Sequence, residues 1–486
     1  MNKTLVLTLI FSSILSISCS SKKSRIPSST DPLKDLISVV KDVENKISTM
    51  NYTYDNCTAQ GQAYYEQLLN INSNDKALSD YNKDDLKELV KRLFTIRLKM
   101  RNKLSSVNPD NKDATACIKA AKNLNRAFRY LEDYIVEYIH EDNSKTFDVL
   151  SGSGEYFLKN DSSFNSYKDL KSGDVILSRG NAYTSAAIAR IGETDAQFSH
   201  LTFVYRTEAG ELWTTEAHIE IGAVVAPFDV HLAQGNSRSV VYRYHDEKLA
   251  HEASKAIFNK VKKNMETGKN IQYDFGMDYK KDDRLFCSEI ISQGFNYASK
   301  NSVDIPRLKT KFNPGLIPFL NKMGIKVTKS NVNTFKTFSP GDIEYDHNFK
   351  VIAEWRNPNK LEDSRLKDAV LTKMFEWMET KDYGFNPRMK ISAESTAYWV
   401  VRRLPFLKKL TIEKFPLNMK IKQLKLFLTL DKVGEIILNE LIAEQAKYSE
   451  KLSPKEMFIF LENLRISDLK KYKKKKKTSK FHKWFH

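Results

Sequence analysis

The sequence predicts an α+β protein in which a small antiparallel sheet is flanked by helical regions on both sides. Short apolar runs rich in β-branched and aromatic residues, separated by glycine-containing turns, occupy the middle of the chain and are typical of strands. Apolar residues spaced three and four positions apart dominate the segments before and after it, and this spacing favours amphipathic helices. The chain has 486 residues, which is enough for several domains of roughly 100–200 residues each.

The first nineteen residues have the features of an export signal. A positively charged start is followed by the apolar run 5–17 and by Ser18-Cys19, and the run is shorter than the roughly 20 residues that a membrane span needs. The segment resembles a bacterial lipoprotein signal, in which Cys19 would be acylated and begin the mature chain, although Ser16 stands where such signals usually carry Leu. An ordinary secretory signal with a chance cysteine is the alternative. Both predict a protein outside the cytoplasm.

A polar tether is predicted over residues 20–30 and a helical bundle over 31–150. Asp31 followed by Pro32 is a typical helix start. One apolar stripe of the bundle consists of Leu86, Leu89, Val90, Leu93 and Phe94. Nothing in this region has a catalytic pattern.

The sheet belongs to a domain predicted over residues 157–357. Its strands are expected at 173–177, 198–205, 212–218 and 240–244. A turn at 208–211 joins the second of these strands to the third as a hairpin. A helix follows from about Asp246 to Thr267, a second helix begins near Cys287, and the segment 338–355 closes the domain.

A C-terminal helical region is predicted over residues 361–469, followed by a basic tail over 470–486. The net charge of +18 and the pI near 9.3 favour anionic partners. For an exported protein these are membrane surfaces or cell-wall polymers, and nucleic acid is not expected. We expect the tail to be a solvated, disordered end, although lysines with terminal aromatic residues can also hold a chain against anionic lipid.

The four cysteines fall into three groups. Cys19 would carry lipid, and Cys57 and Cys117 lie in the same helical region, where an oxidising compartment would favour a disulfide between them. Packing as small apolar residues is the alternative for that pair. Cys287 is left over, and an unpaired cysteine in an exported chain is a candidate reactive thiol.

Three chemically matched residues converge on the sheet. His200 lies on the second predicted strand and Glu216 on its hairpin partner, where a carboxylate could orient the imidazole. Cys287 opens a helix, whose dipole together with a nearby imidazolium would favour the thiolate. His218 shares a strand face with Glu216 and is a rival third member. A buried cysteine and a histidine bonded to a backbone carbonyl are the structural alternative.

The same residues lie in a series of five short motifs. The motifs are Lys171-Ser172-Gly173-Asp174-Val175-Ile176, Phe198-Ser199-His200-Leu201, Thr215-Glu216-Ala217, Gln272-Tyr273-Asp274-Phe275 and Leu285-Phe286-Cys287-Ser288-Glu289. This series resembles the YiiX-like hydrolases, a circularly permuted branch of the NlpC papain-fold superfamily. In that family the histidine strand precedes the cysteine helix, and the resemblance covers roughly residues 157–357 but neither helical flank.

The resemblance implies a permuted papain-like core with Cys287 as nucleophile, His200 as general base and Glu216 as the residue that orients it. It also implies a structural role for Gly173-Asp174, and the Tyr273 hydroxyl could join the Cys287 backbone N–H in an oxyanion hole. No cofactor is expected. The sequence has no metal-binding motif of the zinc or calcium type, so no metal site is predicted.

These residues lead to three hypotheses about function. The first is an envelope cysteine hydrolase, an amidase or peptidase that acts through a thioester on cell-wall peptides or another envelope amide. The second is a lipid-directed thioesterase or acyltransferase. The third is a scaffolding lipoprotein whose papain-like core is inert.

Overall fold

The computed structural model describes residues 36–49, 54–69, 78–104, 107–108, 111, 114–141, 150, 155–278, 283–404 and 418–485. The expected signal segment with Cys19, the tether over 20–30 and the helix start at Asp31-Pro32 lie outside these residues. They stay predictions.

The N-terminal region is a bundle of amphipathic helices. Its helices are α1 Leu36–Thr49, α2 Tyr54–Leu69, α3 Lys83–Leu104 and α4 Ala114–Glu141. The apolar stripe of α3, from Leu86 to Phe94, is buried as its spacing predicts. A disulfide joins Cys57 on α2 to Cys117 on α4, with their Cα atoms 5.2 Å apart.

The central region is built on an antiparallel sheet, and the predicted α+β class is confirmed. Within the described residues the large sheet has seven strands in the order β1-β11-β6-β2-β3-β4-β5. Two short ribbons, β7–β8 and β9–β10, lie beside it. The strands are β1 Tyr156–Lys159, β2 Val175–Arg179, β3 His200–Arg206, β4 Leu212–His218, β5 Gly222–Pro227, β6 Arg238–Tyr244, β7 Gln272–Tyr273, β8 Arg284–Leu285, β9 Thr310–Lys311, β10 Lys336–Thr337 and β11 Phe349–Arg356.

Strand alternation divides the apolar residues of the sheet between two cores. Val175 and Leu177 of β2 belong to one apolar cluster, and Ile176 between them belongs to another on the opposite face. The first cluster continues into both helical flanks, since it contains Phe94 of the bundle and Leu430 of the C-terminal region. The three predicted regions therefore share one core.

Several helices pack around the sheet. They are α5 Tyr183–Ile188, α6 Phe228–Ala233, α7 Glu247–Glu266, α8 Glu289–Ser299 and α9 Ile317–Met323. The Asp246 side chain caps α7 by accepting the Leu249 N–H at 2.9 Å, as expected of an N-cap aspartate. α7 and α8 pack against each other and against β3, which fixes α8 relative to the hairpin.

The C-terminal region is helical, as the apolar spacing predicts. Its helices are α10 Pro358–Lys381, α11 Met389–Val401, α12 Ile421–Gln445, α13 Pro454–Lys474 and α14 His482–Phe485. No helix in the described parts of the chain combines the length and the apolar composition that a membrane crossing requires.

The expectation of a disordered tail over 470–486 is wrong for its described part. α13 continues through the start of the lysine run, and Phe481 and Phe485 are fully buried. Phe481 stacks on Trp377 of α10 with ring centroids 6.0 Å apart, and Asp468 accepts backbone N–H groups from Lys480, Phe481 and His482. Aromatic packing and this carboxylate hold the segment in place, although its lysine-rich composition predicts a solvated end.

A buried network of alternating charges joins the bundle to the sheet and to α10. Four arginines face four carboxylates, and we call these residues the arginine network: Arg97, Glu132, Asp133, Arg179, Arg238, Glu354, Arg356 and Asp368. Asp133 of α4 is its centre, because it accepts from Arg238 at 2.8 Å and from Arg356 at 3.0 Å. The helical bundle is thus fastened to the sheet by charged groups that are excluded from water.

Candidate active site

The β3–β4 hairpin brings His200 and Glu216 into contact. Its turn contains Gly210 at φ +85°, a left-handed conformation that glycine adopts without strain. His200 Nε2 lies 2.8 Å from Glu216 Oε2. Because an ionised carboxylate can only accept, Nε2 carries the hydrogen and Nδ1 is left to face other groups.

His218, the rival third member, lies beside this pair. The register pairs Phe203 with Thr215, and continuing it along both strands sets His218 opposite His200, with Glu216 on the diagonal. The two imidazole rings stack with centroids 5.1 Å apart. His218 Nε2 lies 3.3 Å from Glu216 Oε2, so both histidines meet the same carboxylate oxygen and the shorter contact belongs to His200.

Cys287 lies in the turn between β8 and α8, two residues before the helix begins. Its Sγ is 3.8 Å from the carbonyl oxygen of Ser199 and 3.8 Å from Ser288 Oγ. The sulfur also accepts a hydrogen bond from the Leu201 backbone N–H. Among the described cysteines it is the free thiol, and it packs against the first residues of β3.

Electrostatics favour the charged forms of Cys287 and His200. Burial opposes the charge on His200, but its contacts with Cys287 and Glu216 outweigh burial and raise the imidazole pKa to about 10. Burial alone would raise the pKa of the Cys287 thiol, but the hydrogen bond and the charge of His200 lower it overall. Glu216 is desolvated as well, yet the histidines around it hold its pKa well below the usual value. These interactions therefore favour a thiolate beside an imidazolium over the neutral pair.

Tyr273 of β7 is buried near this sulfur. Burial, with the charge of Cys287 second, raises the pKa of its hydroxyl well above 10. The Tyr273 backbone carbonyl accepts from Asn418 Nδ2 at 2.9 Å, which ties the strand to the C-terminal region. The hydroxyl stays protonated and keeps a hydrogen to donate.

Glu289, the first residue of α8, is a buried acid two positions after the cysteine. Its Oε2 accepts the Phe286 N–H at 3.3 Å. Desolvation raises its pKa to about 9, and the charges of Asp274 and Asp278 act in the same direction. At neutral pH the side chain is uncharged and adds no repulsion to the thiolate.

The sequence did not single out two residues that contact Glu216. His231 and Gln234 come from the α6 segment, with His231 Nδ1 3.2 Å from Oε1 and Gln234 Nε2 3.4 Å from Oε2. Both lie beyond β5, a strand that was not predicted, so no sequence pattern placed α6 beside the hairpin. A histidine between Val230 and Leu232 is the only local signal in the sequence.

Gly173 and Asp174 have the structural role that was expected. Gly173 has φ +88°, and a Cβ there would lie 2.6 Å from the backbone carbon of Ala250. Asp174 is fully buried, and its carboxylate accepts from Arg243 Nε at 2.7 Å. The pair turns the chain into β2 and anchors it to β6.

A metal ion could engage part of the same site. His200, Glu216 and His218 present ligand atoms that all lie within 4.8 Å of one another. Two imidazoles and one carboxylate form a set that zinc accepts. Zinc and calcium motifs are recognised in a sequence by ligand spacings along a single segment, whereas these side chains come from two neighbouring strands.

One family model matches the central part of the chain. Residues 169–316 match the model of a family described as a permuted papain-like amidase enzyme, YaeF/YiiX, C92 family. The matched segment contains Cys287, His200, Glu216 and Tyr273. The core of this chain therefore has a YiiX-like permuted papain fold, and the family whose model it matches is described as one of permuted papain-like amidases.

One solved structure is similar to part of this chain. The crystal structure of the metalloprotein YiiX from Escherichia coli O157:H7 has 18% sequence identity, covers 37% of this chain and 96% of its own, and gives a TM-score of 0.27. No curated protein matches the chain.

Proposed function

We propose that this protein is a cysteine hydrolase of the cell envelope that cleaves an amide bond through a thioester. Cys287 is the nucleophile, His200 the general base and acid, and Glu216 the residue that orients His200. The observation that carries the proposal is the 2.8 Å contact between Glu216 Oε2 and His200 Nε2, together with the electrostatic interaction of His200 with the Cys287 sulfur, which favours both charged forms.

The reaction begins with attack of the Cys287 thiolate on the carbonyl carbon of the amide, which forms a C–S bond and an oxyanion. When the intermediate collapses, the C–N bond breaks and the His200 imidazolium donates its proton to the leaving amine. Neutral His200 then takes a proton from water, which attacks the thioester carbonyl. The C–S bond breaks, a carboxylic acid leaves, and the thiolate and imidazolium are restored.

Two donors are available for the oxyanion. The Cys287 backbone N–H lies just before α8, where the helix dipole favours negative charge. The Tyr273 hydroxyl is the second donor, since it remains protonated at neutral pH. Losing one such donor costs about 10²- to 10³-fold in rate.

The export signal at 1–19 supports an envelope location, with Cys19 as the lipid anchor. Envelope amides include the peptides of the cell wall, which we propose as the substrate class. The net charge of +18 suits a chain that works beside anionic polymers or lipid, and the exposed lysines of the basic tail would add to membrane attachment.

The proposal is tested with the mature chain and a panel of cell-wall peptides and acyl thioesters. We expect amide cleavage, an acyl group on Cys287 by mass spectrometry, and loss of both in Cys287→Ala. Turnover of acyl thioesters alone would favour a lipid-directed thioesterase or acyltransferase. A scaffold would show neither turnover nor an acyl-enzyme.

A metal-dependent hydrolase is the second candidate, and the grouping of His200, Glu216 and His218 favours it. A bound metal would occupy the imidazole that the thiol mechanism needs, so the two mechanisms exclude each other. Under the metal mechanism, EDTA would abolish the activity of the wild type. The Cys287→Ala variant, without EDTA, would stay active. The thiol mechanism predicts the reverse.

A further inference from the structure

A buried histidine on a separate element holds the carboxylate that contacts His200. The His231 side chain is 2% exposed, and its Nδ1 lies 3.2 Å from Glu216 Oε1. His200 uses the other oxygen, Oε2, at 2.8 Å. The carboxylate is thus bonded at both oxygens by imidazoles from different elements, β3 and α6.

The direction of the His231 contact follows from the charge on Glu216. An ionised carboxylate accepts only, so Nδ1 of His231 must carry a hydrogen. Thr202 Oγ1 lies 3.4 Å from the same nitrogen, and Thr202 is two residues after His200 on the same face of β3. The imidazole of His231 therefore contacts both strands of the hairpin.

The position of α6 is fixed by aromatic packing. Phe228, on the same helix, stacks on Tyr167 with ring centroids 5.6 Å apart. Phe228 also belongs to the second apolar cluster of the sheet and is 2% exposed. His231 is carried on an anchored segment and not on a free loop.

Glu216 Oε2 has competing partners. His218 Nε2 lies 3.3 Å from this oxygen and Gln234 Nε2 3.4 Å from it. A carboxylate that can rotate about its last bond would share its oxygens among these donors. Holding Oε1 at His231 removes that freedom and leaves Oε2 directed at His200.

We infer that His231 is a positioning residue of the proposed hydrolase, which fixes the rotation of the Glu216 carboxylate and so sets the bond between Glu216 and His200. The inference rests on the proposed function, because the contact matters for activity only if His200 serves Cys287. In metal sites, the groups that orient a histidine ligand typically change affinity or activity about 10- to 100-fold when they are removed, and we expect an effect of that order here.

The test compares His231→Leu, which removes the donor, with His231→Asn, whose amide can donate from nearly the same place. His482→Leu is the matched control, since His482 is also a buried histidine on a carboxylate, with Nδ1 2.9 Å from Asp468 Oδ2. The readouts are the rate of Cys287 alkylation by iodoacetamide as a function of pH and the melting temperature.

We expect His231→Leu to slow alkylation at neutral pH about tenfold and to move its pH midpoint upward, and His231→Asn to restore most of the rate. His482→Leu should lower the melting temperature and leave alkylation unchanged. The inference is overturned if His231→Leu keeps the wild-type midpoint and rate. If wild-type Cys287 already behaves as an ordinary thiol that His200→Ala does not affect, the proposed function fails, and the inference fails with it.

Discussion

The protein has two buried clusters of charge, and they differ in whether their groups can exchange a proton. The arginine network sets four guanidinium groups against four carboxylates, and arginine keeps its charge at every physiological pH. The site cluster sets one carboxylate, Glu216, against three imidazoles and couples it to a thiol. A fixed charge can fasten elements together, whereas only a group that titrates can move a proton in catalysis.

The clusters also differ in how they are placed in the sequence. The network draws on α3, α4, β2, β6, β11 and α10, which come from all three predicted regions. The site cluster comes from β3, β4, α6 and the start of α8, all within the central domain. The helical flanks therefore contribute to the stability of the central core, and the proposed chemistry is confined to that core.

The largest effect on the free energy of unfolding is expected when the central carboxylate of the arginine network, Asp133, is removed. Asp133→Ala leaves Arg238 and Arg356 without their shared carboxylate at a site that is buried from solvent. Removing one partner of a buried pair costs about 3–5 kcal/mol, so the free energy of unfolding measured in urea should fall by that amount.

The exposed pair Asp42–Lys46 serves as the control, because Asp42→Ala should change stability by well under about 1 kcal/mol. Equal effects at both places would show that the network does not fasten the bundle to the sheet.

Substitution of Glu216 in the candidate active site should change the free energy of unfolding less than Asp133→Ala does and should change the turnover rate more. Glu216→Gln removes the charge that favours the His200 imidazolium, so the pKa of His200 falls from about 10 and the thiolate loses its partner. The turnover rate should fall at least about 10²-fold. Steady-state kinetics would show the loss in kcat more than in KM; a variant with wild-type kcat would contradict the role of Glu216.

At Glu289 the expected effect on stability depends on pH. Its folded-state pKa of about 9 lies above the ordinary value of 4.5, so its contribution to stability is complete below about pH 4.5 and is lost as the pH rises toward 9. Glu289→Gln resembles the protonated form at every pH. The variant should match the wild type in acid and become the more stable of the two above neutral pH, as chemical denaturation at several pH values would show. Parallel curves would contradict the raised pKa, because they would mean that the carboxyl has the same pKa in the folded and unfolded states.

Sequence patterns were enough to predict the fold of the core and to select His200, Glu216 and Cys287 as site residues. Alternation along β3 and β4 placed His200 near Glu216, and the match over 169–316 confirms the YiiX-like permuted papain fold. The register itself was not predictable: it sets His218, and not Glu216, opposite His200, because a two-residue shift leaves the faces unchanged.

The missed features depend on contacts between distant segments. His231 reaches Glu216 only because β5 returns the chain beside β4, and β5 has no clear strand pattern of its own. The arginine network was hidden because charged residues on a helix are normally solvent-exposed, and only the fold shows that Asp133 faces the sheet. The folded C-terminal tail was missed because its lysines dominate the composition while Phe481 and Phe485 provide the packing.

The titration of Cys287 in the wild type and in His200→Ala tests the central claim most directly. Alkylation by iodoacetamide is followed from acidic to alkaline pH, since only the thiolate reacts. The account predicts a wild-type midpoint below the ordinary value of about 8.5 and an upward shift in His200→Ala, in which no imidazolium stabilises the sulfur. Superimposable curves with an ordinary midpoint would contradict it.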